Sequence, residues 1–260
     1  MKTEIRYLSL RVIGALMVRE MITRYGRTWG GYFWAILEPV GVILILSLAF
    51  SQVIHKPAIG SSFIMFYATG YIPFHFFLET SINTGGAVSL NRQLMLLPAV
   101  TPLDAVIARF LLSILTLIVV ASIVFSGLLI LIDDQVSLSL DSLFLSLSCG
   151  AIVGLGVGTF NSVVFSFVPS WRQLWGIISR PLFIISGVFF TFEQMPEGVR
   201  QVLWWNPLVH VVGESRKAFY ASYEGAYIAL WYPLGFGLFF LLVGAAFLIR
   251  NRSAIIEARH

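Results

Sequence analysis

Thirteen carboxylates and four histidines are all that 260 residues offer to acid–base chemistry or to a metal ion, and their spacing suits neither. His55, His75, His210 and His260 are too scattered for a ligand set, and no His-Glu-x-x-His pair occurs. Cys149 is the sole cysteine, which excludes an intrachain disulfide and a thiolate metal site. There is no Gly-x-x-x-x-Gly-Lys loop to cradle a nucleotide's phosphates, and no Gly-x-Ser-x-Gly elbow to present a nucleophile. Two carboxylates, Glu38 and Glu79, fall inside apolar stretches, where each costs roughly 2.5–3.5 kcal/mol at a bilayer centre and so must face protein or water. Glu38-Pro39 reads as a hinge whose carboxylate meets Arg24 or Arg27, or as a contact for a cargo. A proton relay would need such groups near the midplane, whereas these two stand toward opposite ends of their segments. The chain predicts no catalytic residues of its own.

The composition says what must position these residues. Charged side chains are 12% of the chain, against about 25% in soluble domains, and the mean hydropathy is +0.86. A soluble protein could not cover its surface with so few charges, so the chain is an all-α integral membrane protein. Residues 3–24 place Ile5, Leu8, Val12, Leu16 and Met17 at helical spacing among Lys2, Arg6, Arg11, Arg19 and Arg24. That is the pattern of an amphipathic helix lying in the membrane interface. No compact apolar h-region precedes it, so the first hydrophobic segment is expected to be retained. Six apolar segments follow, near 32–54, 62–82, 104–132, 143–168, 173–192 and 227–249, and each is read as a span.

The stretch 193–226 is too polar to span and too apolar for a free loop. Trp204, Trp205 and several valines flank Asn206-Pro207, which predicts two short half-inserted helices meeting there. His210 and Glu214 share one helical face beyond the junction. The pair of helices is read as a gate at the outer end, held in part by Glu214 and a basic neighbour, or else as a shield anchored by its tryptophans. The domain expectation is thus one transmembrane unit, 1–260: interfacial helix 1–30, spans one to five over 32–192, re-entrant helices 193–226, last span and tail 227–260. Counting Lys and Arg places thirteen on one side and four on the other, so both termini are expected in the cytoplasm. Glycines 150, 154 and 158 predict close helix packing, inside the protein or between copies. Aromatic groups, among them Trp34, Tyr67, Tyr71, Phe74, Phe183, Phe189 and Phe190, face lipid or line a passage in which ring faces slide along sugars.

Arg19-Glu20-Met21-Ile22-Thr23-Arg24-Tyr25-Gly26-Arg27 followed by Trp34-Ala35-Ile36-Leu37-Glu38-Pro39 resembles the membrane subunit of type 2 ABC exporters, most of all the capsular-polysaccharide branch (KpsM/BexB-like). The resemblance runs through Asn91-Arg92-x-Leu94 and Asn206-Pro207 to the last span. It implies a homodimer in the bacterial inner membrane, bound to two copies of a separate ABC ATPase that carries ATP and Mg; no cofactor is expected in this chain. A lipid-linked polysaccharide would be the cargo, handed to a periplasmic adaptor or co-polymerase and an outer-membrane exporter, and no nucleic acid is involved. O-antigen export is the near alternative. A membrane-embedded glycan transferase would need a paired-carboxylate or His–carboxylate set, and a passive channel would need no ATPase.

On that resemblance the passage is lined by the first and fifth spans, making Trp34, Phe50, Phe183, Phe189 and Phe190 channel candidates beside Glu38. Arg24, Tyr25 and Arg27 stand at the mouth, where two guanidiniums either grip the phosphate and acidic sugars of the cargo's lipid end or only meet membrane phosphates. Asn91, Arg92 and Leu94 belong to a short helix expected to seat in the ATPase. Trp204, Trp205, Asn206, Pro207, His210 and Glu214 compose the outer gate.

Overall fold

The computed structural model describes residues 2–25, 31–132 and 137–257, and these are helix and loop with no strand among them. In chain order the helices are α1 (Lys2–Tyr25), α2 (Gly31–Ser51), α3 (Phe63–Gly85), α4 (Ala87–Asn91), α5 (Pro102–Leu131), α6 (Leu140–Phe167), α7 (Trp171–Ile185), α8 (Glu197–Leu203), α9 (Pro207–Phe219), α10 (Trp231–Arg250) and α11 (Arg252–Glu257). Among the described residues, α2, α5, α6 and α10 are long and apolar enough to cross a membrane. Helix α3 has the length at 23 residues, but His75, Glu79 and Asn83 make it more polar, and it is buried along most of its course.

Local chemistry sets the boundaries. Ser62 caps α3 by accepting from the Met65 amide. Thr101 and Asp104 form a reciprocal capping box at the start of α5, with Pro102 in the first turn, where its missing N–H costs nothing. The glycines of α6 decide its neighbours. A Cβ on Gly154 would stand 2.7 Å from the Phe77 carbonyl of α3, and one on Gly156 would overlap the backbone of Gly237 in α10. The stripe therefore packs inside the protein, with α6 held between α3 and α10.

The fifth segment departs from expectation. Helix α7 stops at Ile185, not 192, because Gly187 takes a φ of +81° and turns the chain away. Fifteen residues rise about 22 Å, short of a hydrocarbon core of about 30 Å. A turn and a single 3₁₀ turn, Phe192–Gln194, complete the path to α8.

Apolar burial falls into three clusters. A large central one joins α2, α3, α5, α6 and α9 around Phe66, Tyr67, Phe74 and Phe219. A second, with Leu16, Val88, Met95, Val106, Leu248 and Ile255, seats α1, α4 and α11 on one end of the bundle. A third, Phe192, Leu203 and Val209, packs α8 to α9 at the other end. Helix α1 buries Leu16 in the second cluster, while the apolar Leu10, Val18 and Ile22 stay exposed.

Candidate functional site

A groove of about 1020 Å³ runs along the bundle between α3 and α7, bordered by Val42 of α2, Arg109 of α5 and Phe165 of α6. Its wall is apolar and aromatic, with Tyr71, Phe74 and Leu78 on one side and Trp175 and Phe183 on the other. Phe183 packs edge-on against Tyr71 and Phe189, with ring centroids 6.0 and 5.0 Å away. These rings hold the far half of α7 to α3.

Of the predicted passage residues, the structure brings Phe183 and Phe189 to this groove. Phe50 lies one layer behind, stacked on Tyr67 and Phe189 at 5.5 and 5.7 Å. Phe190 instead packs toward the third cluster, and Trp34, 64% exposed beside Phe33, stands outside the groove. Glu38 lines a different cavity of about 60 Å³ with His75, Glu79, Asn83, Ser113 and Thr116. Helix α1 carries Arg24 and Tyr25 to its last turn, while Arg27 lies outside the described residues. Arg109, Arg172 and Arg180 line the groove and were read from sequence only as positive charges.

One end of the bundle is joined mostly by side chains meeting side chains, with Arg252 of α11 also donating to the Pro98 and Val100 carbonyls at 3.3 and 3.0 Å. Glu20 of α1 pairs with Arg109 of α5, whose other contact is a donation of 3.0 Å to the Asn83 carbonyl. The Asn83 amide in turn donates to Glu79 and to Ser113 at 3.0 and 2.9 Å. Arg19 donates to the Asn91 side chain at 2.9 Å, and Ser9 to Asp104 at 2.6 Å. Asn91 thus faces inward with Met95, and Arg92 and Leu94 are half-buried. The residues that this short α4–3₁₀ segment turns outward are Leu90, Leu96 and Leu97, exposed by 60%, 69% and 55%. Sequence reading placed weight on Asn91, Arg92 and Leu94 and did not separate the inward from the outward positions.

The opposite end is joined mostly by side chains meeting backbone, with Tyr223 also donating to the Glu193 carboxylate at 3.1 Å. Asn206 caps α9 by accepting from the Leu208 amide, Pro207 fills the first turn, and the Asn206 amide donates to the Ile185 carbonyl at 3.1 Å. His210 donates from Nε2 to the Trp204 carbonyl at 2.9 Å and accepts at Nδ1 from the Ala229 amide at 3.2 Å. Those two partners require the neutral ring, and burial holds its pKa below the ordinary imidazole range. Trp204 also donates to the Tyr227 carbonyl, and the Trp205 carbonyl accepts from Tyr232 at 2.6 Å.

The expected pairing of Glu214 with a basic neighbour does not form. Glu214 is buried and makes no hydrogen bond or ion pair with the described residues. Arg216, 1% exposed, instead donates to the Phe190 and Val188 carbonyls at 2.7 and 3.2 Å with its guanidinium 4.4 Å from the Phe66 ring, while Lys217 faces outward. The carbonyls of the turns that follow α7 hold that cation.

Comparison with known proteins gives the arrangement a lineage. The family profile described as ABC-2 type transporter matches residues 11–220. The chain is 34% identical over 248 residues to the polysialic acid transport protein KpsM of Escherichia coli, covering 95% of each chain. It is 30% identical over 246 residues to the capsule polysaccharide export inner-membrane protein CtrC of Neisseria meningitidis serogroup A, covering 94% of this chain and 92% of that one. To BexB of Haemophilus influenzae, which carries the same description, it is 27% identical over 252 residues, 95% of this chain and 93% of the relative.

Proposed function

Because the chain belongs to the ABC-2 type transporter membrane family, we propose that it is the permease subunit of an ATP-driven exporter that moves lipid-linked capsular polysaccharide across a bacterial inner membrane. The observation that carries this reading is likeness over nearly the whole length to inner-membrane proteins of capsule export. The absence of a phosphate loop from the sequence agrees with a subunit that leaves hydrolysis, with its ATP and Mg, to a separate ATPase.

In this reading α2, α3, α5, α6 and α10 are crossings, the short α7 together with the turns that follow it makes the sixth, α1 lies in the cytoplasmic interface, and both termini are cytoplasmic. Two copies stand side by side, and the groove beside α7 is each copy's wall of the passage between them. The ATPase seats on Leu90, Leu96 and Leu97, whose exposure in a short segment held to α1 by Arg19 supports a partner there. Helices α8 and α9 cover the periplasmic end as a locked unit, so opening there is a shift of the pair against the passage. An adaptor and an outer-membrane exporter then take the cargo onward.

The test is genetic. Deleting the gene in its own host should abolish surface glycan and leave polymer inside the cell, and the chain supplied with its ATPase should restore export. Unchanged surface glycan in the deletion strain would overturn the proposal.

A further inference from the structure

Glu38 and Glu79 fall at opposite ends of their segments, yet the structure brings them to one level. Phe50, late in α2, packs on Tyr67, early in α3, so the two helices run antiparallel. Glu38, seven residues after Gly31, and Glu79, six before Gly85, therefore both stand roughly 10 Å inside the same end of the bundle. They share a cavity of about 60 Å³ with His75, and Ser113 and Thr116 of α5 complete its polar wall. That volume has room for a few waters.

The three ionisable groups are graded from outside to inside. Glu38 is exposed at the rim, Glu79 is half-buried, and His75 is only 5% exposed. His75 Nδ1 stands 3.5 Å from the Tyr71 hydroxyl, with the two rings stacked at 5.4 Å, while its Nε2 makes no hydrogen bond with any described residue. Glu38 likewise makes no hydrogen bond or ion pair with a described residue. The titratable groups that face His75 are Tyr71 and Glu79 of α3 and Glu38 of α2; α5 brings only hydroxyl and apolar side chains, and α6, α7 and α9 bring none to the cavity. Among the described lining residues there is no lysine or arginine.

Two carboxylates at this depth are costly without positive charge or water. Among the described residues no three carboxylate, imidazole or thiolate groups are placed to hold a metal ion, and the carboxylates refuse an anion. We infer that this cavity is a proton-binding site, with His75 as the acceptor, Glu38 and Glu79 as its counter-charge, and water as the path from rim to floor. Uptake forms one N–H bond and leaves a water where hydronium stood, and release reverses both. In the protonated ring Nδ1 donates to the Tyr71 hydroxyl oxygen and Nε2 donates into the cavity. The charge reaches beyond the site, because the Asn83 amide donates to Glu79 at 3.0 Å while its carbonyl accepts from Arg109, the partner of Glu20 on α1. Asn83 also borders the groove, so the site lies one side chain from that wall.

The experiment uses the full chain labelled with ¹⁵N-histidine in phosphatidylcholine bilayers, read by solid-state NMR from pH 8 to 5. The signal lost in His75→Gln identifies the ring. It should pass from the neutral to the doubly protonated form as the pH falls. Glu79→Gln removes the charge and keeps an acceptor for Asn83, so it should weaken the proton affinity of His75 roughly tenfold. Glu38→Gln, at the exposed rim, should act in the same direction and by less. A His75 ring that stays neutral throughout, a titration that neither glutamine variant moves, or a proton displaced by added sodium ions would each overturn the inference. Neither glycan nor ATPase enters the measurement, so its failure and that of the permease reading are distinguishable.

Discussion

The two ends of the bundle are fastened by different chemistry. At the end carrying α1 and α4, most contacts between elements join side chain to side chain: Glu20 with Arg109, Arg19 with Asn91, Ser9 with Asp104, beside carbonyl contacts from Arg109 and Arg252. At the end carrying α8 and α9, most join side chain to backbone: Arg216 on the Phe190 and Val188 carbonyls, His210 between Trp204 and Ala229, Tyr232 on Trp205, beside the Tyr223–Glu193 contact. Paired side chains can exchange partners by rotamer changes within nanoseconds, while a backbone bond constrains the path of the chain itself. On the permease proposal, the first end would take up motion passed from the ATPase and the second would keep its form.

The comparison is most exposed at Arg216. Arg216→Met retains apolar bulk but strips two buried carbonyls of their donor. It should cost about 3 kcal/mol and appear as a lowered melting temperature and reduced yield. A variant that melts like the parent would remove the claim that backbone capture sets the outer end.

Glu20→Gln probes the other end and should cost less, about 1–2 kcal/mol, because Arg109 keeps the Asn83 carbonyl. Its larger effect should fall on coupling, with ATP turnover persisting while export declines. Asn91→Ala removes one neutral acceptor from Arg19 and should cost about 1 kcal/mol, with the same uncoupled signature. Equal losses of turnover and export in both variants would mean that these contacts serve stability alone.

The smallest effect concerns His210. Its folded pKa is lowered by burial, so its contribution is fully present above the free imidazole value of about 6.5 and is lost as the pH falls through the folded value. Melting followed from pH 7.5 to 5 should show a decline of at most about 1.4 kcal/mol per pH unit, absent in His210→Gln. An identical decline in that variant would place the titrating group elsewhere.

Much of this was legible in the sequence, for identifiable reasons. Long apolar runs predicted five of the six long helices to within about four residues, since length and hydropathy are local properties. Asn206-Pro207 predicted the junction of two short helices, and α8 and α9 meet there, with Asn206 as cap and Pro207 in the first turn. The short α7 was missed because Gly187 sits among apolar residues that continue the run. Arg180 went unsingled, although a cation eight residues beyond Arg172 in an apolar stretch was itself a signal. Glu38 beside His75 and Glu79 depends on the register of α2 against α3 and α5, which no local pattern encodes. The partner of Arg216 was hidden for the same reason, since carbonyls carry no mark in a sequence.

The central claim is that a separate ATPase drives this chain from the end carrying α4. The direct measurement is purification of the tagged chain from its native membranes in mild detergent, with the bound ATPase quantified for the parent and for Leu96→Glu with Leu97→Glu. The account predicts one ATPase per copy in the parent. Loss of two exposed leucines that the ATPase would cover, worth about 3 kcal/mol or more, should weaken binding on the order of a hundredfold while the melting temperature holds. A parent chain that purifies bare yet supports export, or a double variant that keeps its ATPase, would contradict it.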